Sequence, residues 1–197
     1  MKYIREFLIA IDAGWKQVGG EPVMLQVIGS AALMLQVDDY ERGTKDSDIL
    51  EAKEITPAVK KQLLALAGPK TVLQAKYGIY IEFVARAILF WPQKPIFHPV
   101  QGIPLKNFSI EVLDVLDVIV SKVKRLNQND ITDISAMAEK KLIDHKRLVN
   151  RFESAVDMFS TDARAQDIPQ YIKNLNRVER DILVAPESKI ALPDWMQ

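Results

Sequence analysis

The stretch VMLQVIGSAALMLQ, residues 23–36, determines our interpretation of the fold. It begins with a short apolar run, passes through Gly29 and Ser30, and ends in residues that favour a helix. The pattern predicts a buried strand, a tight turn and a short helix. Because glycine allows close backbone approach and helix N-termini attract anions, the turn is a candidate phosphate-binding site. The alternative is an ordinary turn in which Ser30 is the helix N-cap.

The segments around this stretch predict a mixed region of strands and helices. Apolar residues recur at three- and four-residue steps over residues 4–18, which predicts an amphipathic helix ending at Gly19. A strand is expected at residues 46–51, and a proline at N1 favours a helix over residues 56–68. Residues 78–91 are apolar and rich in β-branched and aromatic side chains, which predicts one long buried strand or a tight hairpin.

The second half of the chain has a helical pattern. Four prolines between residues 92 and 104 argue against a helix or a central strand there and mark a candidate linker. Helical periodicity follows over residues 109–126, 130–143, 148–159 and 168–183. We therefore predict an α+β protein. A small mixed β-sheet flanked by helices occupies residues 1–105, and a C-terminal helical bundle occupies residues 106–197, with an extended tail in which Trp195 is a candidate packing residue.

Composition excludes several classes of protein. The chain has 197 residues, 26 Lys plus Arg against 26 Asp plus Glu, and 48% hydrophobic residues, which argues against disorder, a coiled coil or collagen. The absence of cysteine excludes disulfides and cysteine-based metal sites and favours the cytoplasm. With zero formal net charge, any nucleic acid would be bound locally. The N-terminal residues do not predict a signal peptide and no apolar run is long enough to span a membrane, so we expect no membrane partner.

Three acidic residues are candidate metal ligands. The strand period of two places Asp46 and Asp48 on one face and Ser47 on the other. Magnesium prefers oxygen ligands and keeps phosphates in its shell, so these aspartates beside a phosphate-binding turn predict a magnesium–nucleotide site. The alternative is a solvated acidic turn next to Lys45. Glu82 is the only acid of residues 78–91, and it either binds metal or faces solvent from an edge strand.

The two histidines do not suggest a metal site. They are too few and too far apart in sequence, and we place His98 in a loop and His145 on a helix surface.

Three segments resemble, in order, the nucleotidyltransferase superfamily whose catalytic core is shared with DNA polymerase beta. They are IGSAAL at residues 28–33, RGTKDSDI at residues 42–49 and IEF at residues 81–83. The resemblance implies transfer of a nucleoside monophosphate from an NTP to an acceptor hydroxyl. It also implies a role for each candidate residue: Gly29 and Ser30 hold the nucleotide phosphates, Asp46 and Asp48 hold Mg²⁺ or Mn²⁺, and Glu82 holds metal or deprotonates the acceptor.

Two later segments, SKVKR at residues 121–125 and NDITDI at residues 129–134, are similar to the AbiEii-like branch. That branch comprises nucleotidyltransferase-like toxins of type IV toxin–antitoxin systems, in which a lysine and an arginine precede an Asp-x-x-Asp. The similarity implies that Lys122 and Arg125 bind nucleotide phosphates and that an antitoxin protein is a partner. The acceptor stays open among an RNA end, a protein and a small molecule.

The residues themselves leave alternatives for this segment. Lys122 interrupts an apolar stripe of a helix expected to be capped by Ser109, so it either meets a charge, such as a phosphate, or reaches solvent past the core. Asp130 and Asp133 also suit a structural role, as an aspartate N-cap followed by an acid at N3.

Other functions fit parts of the sequence. One is a non-catalytic binding module with a nucleotidyltransferase fold, in which the acids are a relict. A metal-dependent sugar transferase would use Asp-x-Asp but leave Gly29, Ser30 and Glu82 without a role. A phosphatase with an aspartate nucleophile carries its motif after the first strand, whereas here a strand and a helix precede it. Our leading hypothesis is therefore a magnesium-dependent nucleotidyltransferase.

Overall fold

The computed structural model of the chain describes residues 3–16, 21–43, 46–51 and 55–192. Contacts divide the chain into two compact units. The first unit is Met1–Ile88 with Phe97–Leu113, and the second is Leu89–Ile96 with Asp114–Gln197. The division into folding domains near residue 105 stays a prediction. Gly19, Lys45 and Trp195, which entered the sequence analysis, lie outside the described residues.

The first unit contains a mixed sheet. The described strands are β1 Val23–Val27, β2 Asp46–Leu50, β3 Tyr80–Val84, β4 Phe97–Pro99 and β5 Phe108–Leu113. Their order across the sheet is β3-β2-β1-β5-β4. Strand β1 is antiparallel to β2 and parallel to β5, β2 is parallel to β3, and β4 is antiparallel to β5. Because β3 pairs with β2 alone in the described part of the sheet, it is an edge strand.

Helices of the first unit flank this sheet. They are α1 Tyr3–Gly14, α2 Gly29–Gln36, α3 Pro57–Ala67 and α4 Val72–Tyr77. The periodic residues Ile4, Phe7 and Ile11 of α1 are fully buried, as an amphipathic helix requires. Helix α3 begins as predicted, because the Thr56 side chain accepts a hydrogen bond from the Val59 N–H. These elements confirm the predicted α+β class.

The second unit is a helical bundle. Its helices are α5 Val115–Val123, α6 Gln128–Glu139, α7 His145–Phe159 and α8 Ile168–Val178, and α8 continues as the π-helix Glu179–Leu183. The Phe90 ring lies at the centre of an aromatic cluster. Its centroid is 5.3 Å from Phe152, 5.4 Å from Phe159 and 5.0 Å from Tyr171. No described helix combines the length and the apolar character needed to cross a membrane.

The expectation for residues 78–91 is wrong. Strand β3 ends at Val84 and a 3₁₀ turn, Arg86–Ile88, follows it. Phe90 and Trp91 then leave the first unit and are each 1% exposed within the second. Their apolar character therefore reflects burial in the helical bundle, which a strand pattern imitates.

Two expectations around residues 92–126 are also wrong. The proline-rich segment contains the short edge strand β4, so His98 lies in a strand and not in a loop. The helix expected from Ser109 begins only at Val115, with Asp114 as its N-cap, because β5 occupies the preceding residues. Pairing with β1 overrides the helical pattern there, as tertiary contacts commonly override local propensity.

Candidate functional site

Strands β2 and β3 bring three carboxylates together at the edge of the sheet. Asp46 and Asp48 share one face of β2, and the parallel register sets Glu82 opposite Asp48. Oxygen atoms of these three side chains lie within 4.8 Å of one another. Both aspartates are partly buried and Glu82 is exposed. In the described ranges of the chain, this is the one cluster of its kind that could hold a metal ion.

The donor set suits a hard divalent cation. All three side chains offer carboxylate oxygen, the ligand that Mg²⁺ and Mn²⁺ prefer. Three negative charges so close together repel one another unless a positive charge lies between them. Glu82 is exposed on an edge strand and its carboxylate lies close to the two aspartates, so metal binding by Glu82 stays a prediction. The cluster is therefore a candidate metal centre open to a substrate.

The turn at Gly29 lies directly against this cluster. Gly29 has a φ of +64°, and a Cβ at this position would lie 2.9 Å from Asp48 Oδ2, so the close approach requires glycine. The Ile28 N–H donates to the Asp48 carbonyl at 2.9 Å. Ile28 is the N-cap of α2 and Ser30 is its second residue, so the alternative in which Ser30 is the N-cap is wrong. The N-terminus of α2 thus begins beside Asp48.

Arg42 is a site residue whose role the sequence analysis missed. Its Nη2 donates to Ser30 Oγ at 2.6 Å, and the Tyr3 hydroxyl donates to the Arg42 carbonyl at 2.8 Å. Arg42 was part of the family-like segment, but 12 residues separate it from Ser30 and spacing alone could not place the two together. Its guanidinium brings a positive charge to the candidate phosphate-binding turn.

Tyr80 is a second residue that the sequence analysis left without a role. It pairs in register with Asp46. Burial, followed by the negative charges of Glu82, Asp46 and Asp48, raises the pKa of Tyr80 above its ordinary value. Tyr80 therefore keeps its phenolic proton to a higher pH than an ordinary tyrosine does. The period of two, which places Tyr80 and Glu82 on one face of β3, was the available signal.

Ser47 lies between the two aspartates but points to the opposite face of β2. It is fully buried, and its Oγ has no hydrogen-bond partner among the described residues. We expect Ser47→Ala to raise the free energy of unfolding by about 1–2 kcal/mol, because a buried unsatisfied hydroxyl costs about that much. Urea unfolding measures the change.

The matched control for this prediction is Ser109→Ala, at an exposed serine of β5. We expect a change of less than about 0.5 kcal/mol there. Destabilisation by Ser47→Ala would mean that the hydroxyl is satisfied in solution.

Lys122 and Arg125 belong to the second unit and pair there with aspartates. Lys122 is 6% exposed, and its Nζ lies 2.6 Å from Asp133 Oδ2 and 3.2 Å from Asp130 Oδ1. Arg125 donates two hydrogen bonds of 2.9 Å to Asp130. Asn127, and not Asp130, is the N-cap of α6. Lys122 thus forms ion pairs inside its own unit. Phosphate binding by Lys122 and Arg125 stays a prediction.

This ion network predicts a pH dependence. Burial would raise the pKa of Asp130, but hydrogen bonds and positive charge from Arg125 and Lys122 outweigh it and hold that pKa below its ordinary value. A carboxyl with a lowered folded pKa stabilises the protein above its unfolded pKa, and this contribution is lost as pH falls through the folded pKa. We expect stability to fall below about pH 4, and to fall less steeply in Asp130→Asn.

Urea unfolding at pH values between about 6 and 2.5 tests this expectation. The same pH dependence in the wild type and in Asp130→Asn would contradict it.

Comparison with known proteins adds one finding. A family model described as "Nucleotidyltransferase of unknown function (DUF6036)" matches residues 6–183. No curated protein and no solved structure matches the chain. The finer assignment to the AbiEii-like branch stays a prediction. The family match spans nearly the whole chain, including the turn at Gly29 and all three carboxylates that the fold brings together, and the chain belongs to the DUF6036 family of nucleotidyltransferases.

Proposed function

We propose that the protein transfers a nucleoside monophosphate from an NTP to an acceptor hydroxyl in a reaction that requires a divalent metal ion. One observation carries the proposal: Asp46, Asp48 and Glu82 converge within 4.8 Å beside a glycine turn that touches Asp48. Membership of a nucleotidyltransferase family supports this reaction class. A cytoplasmic location, where NTPs are available, fits the cysteine-free sequence.

The three carboxylates would hold Mg²⁺ or Mn²⁺. When bound, such an ion neutralises phosphate charge and lowers the pKa of a coordinated hydroxyl. Two of these side chains come from the same face of one strand and the third from its neighbour, so the sheet itself sets their spacing. A site built on strands holds its ligands more rigidly than one built on loops.

The remaining residues of the site bind substrate and move a proton. Backbone N–H groups at Gly29 and the Ser30 hydroxyl would bind the triphosphate, as helix N-termini bind phosphates. Arg42 would add a fork of donors suited to phosphate oxygens. The acceptor oxygen bonds to the α-phosphorus while the bond from that phosphorus to the leaving pyrophosphate breaks. Glu82, which is exposed, would accept the proton of the acceptor hydroxyl.

Arg42 gives the first prediction for this site. We expect Arg42→Ala to weaken NTP binding by roughly tenfold to a hundredfold, because a charge-assisted hydrogen bond contributes about 1.5–3 kcal/mol. Calorimetry with a non-hydrolysable NTP analogue and Mg²⁺ measures the affinity. Lys61→Ala, at an exposed residue of α3, is the control and should leave it unchanged. Equal affinity of Arg42→Ala and wild type would remove Arg42 from the site.

The reaction itself is tested by transfer of label from each α-³²P-NTP, with Mg²⁺ or Mn²⁺. The acceptor pools are total RNA, total protein and cellular small molecules, and the comparison is with Asp46→Ala/Asp48→Ala. Label in one pool that is lost in the variant supports the proposal and identifies the acceptor class. No label, together with no Mg–NTP binding by calorimetry, favours the non-catalytic binding module instead.

The similarity of residues 121–134 to the AbiEii-like branch supports a narrower proposal, a toxin with an antitoxin protein as its partner. Induced expression of such a toxin would arrest growth, and Asp46→Ala/Asp48→Ala would not. Equal growth of cells that express either protein would remove the toxin role and leave the transfer reaction untouched.

A further inference from the structure

The second unit contains a cavity that the proposed reaction does not use. Its volume is about 520 Å³, within the range of small-molecule sites. The C-terminal end of α6, the start of α7 and the π-helix Glu179–Leu183 form its walls. Its polar lining includes Ser135, Glu139, Lys141 and His145, and its apolar lining includes Ile143 and Leu183. The cavity therefore offers both apolar surface and hydrogen-bonding groups.

The loop between α6 and α7 and the first turn of α7 make the surroundings of the cavity basic. The sequence KKLIDHKR, residues 140–147, carries four cationic side chains, all exposed, and none has an ion-pair partner among the described residues. Lys141 has a φ of +58° and lines the cavity. Lys140, Lys146 and Arg147 lie within two positions of a lining residue. In a chain of zero net charge, such a cluster is a local site for anions.

The acidic side chains near the cavity do not cancel this positive charge. Asp181 is paired with Arg177 at 3.6 Å and with Arg180 at 2.9 Å. The Asp144 side chain accepts from the Arg147 N–H as the cap of α7. Glu139, the remaining acid of the wall, and Ser135 can accept hydrogen bonds from amino and hydroxyl groups. Cations at the rim and acceptors inside fit a ligand with both phosphate and nucleoside groups.

One wall of the cavity is held rigidly. His145 begins α7 and is partly exposed, and its Nε2 lies 2.8 Å from Oε1 of the fully buried Glu179. The same carboxylate accepts hydrogen bonds from the Ser188 N–H at 2.8 Å and the Ser188 hydroxyl at 2.5 Å. Glu179 thus orients the His145 ring and ties the following segment to the π-helix, and π-helical turns are frequent at functional sites.

We infer that this cavity is a second nucleotide-binding site, which takes a phosphorylated nucleoside independently of the metal centre. The apolar wall receives the base, Ser135 and Glu139 accept hydrogen bonds from base or ribose, and the cations of residues 140–147 bind phosphate. The ligand is a free nucleotide or one nucleotide of an RNA strand, which share this chemistry. The inference does not depend on the transfer reaction of the first unit.

The test measures binding by fluorescence anisotropy in EDTA with Asp46→Asn/Asp48→Asn protein, which removes metal-dependent NTP binding. Two probes, fluorescein-labelled AMP and a fluorescein-labelled RNA decamer, distinguish a free nucleotide from an RNA strand. We expect Lys141→Glu/Lys146→Glu to weaken binding by roughly tenfold or more, because two attractions to phosphate become repulsions. Lys61→Glu/Lys173→Glu makes the same charge change at exposed residues of α3 and α8, and should leave affinity unchanged.

A further variant separates the cavity from its charged rim. Ser135→Trp places a bulky indole ring in the cavity without altering charge and should also abolish binding, and circular dichroism checks that the variant is folded. If either probe binds the parent protein and this binding is lost in both Lys141→Glu/Lys146→Glu and Ser135→Trp, the site is supported. The probe that binds the parent protein then shows whether the ligand is a free nucleotide or an RNA strand. The inference is overturned if neither probe binds, if Ser135→Trp is folded and binds normally, or if polyglutamate displaces the probes as well as AMP does. Because the transfer assay does not enter this test, the two proposals can fail separately.

Discussion

Replacement of Asp46 and Asp48 with asparagine is expected to reduce nucleotidyl transfer by about 10³-fold or more, while the melting temperature stays the same or rises. Metal-ion catalysis contributes several kcal/mol to a transition state, and each 1.36 kcal/mol is about tenfold in rate. In the metal-free protein the substitutions remove two of three negative charges within 4.8 Å of one another, so repulsion in the folded state falls. Function and stability should therefore change in opposite directions.

Thermal unfolding with and without Mg²⁺ checks the metal site independently of the acceptor. An ion that binds only the folded state stabilises it by about 2.7 kcal/mol at a hundred times its dissociation constant. Wild-type protein should show this shift, and Asp46→Asn/Asp48→Asn should not. Glu21→Gln, at an exposed acid before β1, is the control and should behave as wild type. A large loss of stability in the double variant, or an equal Mg²⁺ shift, would contradict the metal assignment.

Lys122→Met is expected to lower the free energy of unfolding by about 3–5 kcal/mol, the usual consequence of removing one partner from a buried ion pair. Asp130 and Asp133 are both fully buried, and Lys122 contacts both carboxylates. Arg125 would still contact Asp130 through two hydrogen bonds, whereas the Asp133 carboxylate would lose a cation that lies 2.6 Å away. The loss of this ion pair at a fully buried carboxylate is the physical reason for the expected destabilisation.

Urea unfolding of a double-mutant cycle measures this coupling. We expect Asp133→Asn to recover part of the stability lost in Lys122→Met, because the buried charge that pairs with Lys122 is then removed as well. Lys61→Met, at an exposed lysine, should change stability by less than about 0.5 kcal/mol. NTP affinity of folded Lys122→Met, measured at low temperature, tests the separate prediction that Lys122 binds phosphate. A loss of stability below about 1 kcal/mol would show that the pairs contribute little.

Local patterns were sufficient for β1, α2 and β2, which carry the turn at Gly29 and two of the three carboxylates. The run before Gly29 predicted β1 and α2, the alternation at Asp46 predicted β2, and Thr56 with Pro57 predicted the start of α3. Local patterns failed where apolar residues pack in the other unit of the protein. Residues 89–96 belong to the helical unit, in which Phe90 and Trp91 are buried, and no local period distinguishes that burial from a strand.

The partners of the charged residues could be predicted only in part. The order of the family-like segments predicted that Asp46, Asp48 and Glu82 act together, and their side chains do converge. The contact of Arg42 with Ser30 and the pairing of Lys122 with Asp133 depend on how chain segments pack. Distance along the chain does not report such contacts, because helices and turns of different lengths can bring the same residues together or separate them.

The sequence by itself determined the α+β class, the turn at Gly29 and the shared face of Asp46 and Asp48, because helix and strand periods depend only on local backbone geometry. The tertiary structure alone decided that β3 lies parallel to β2, with Glu82 opposite Asp48. It also decided that Glu179 is buried against His145 beside a cavity in the helical unit. Strand register and helix packing are set by which apolar faces meet across the fold, and that is a property of the whole chain.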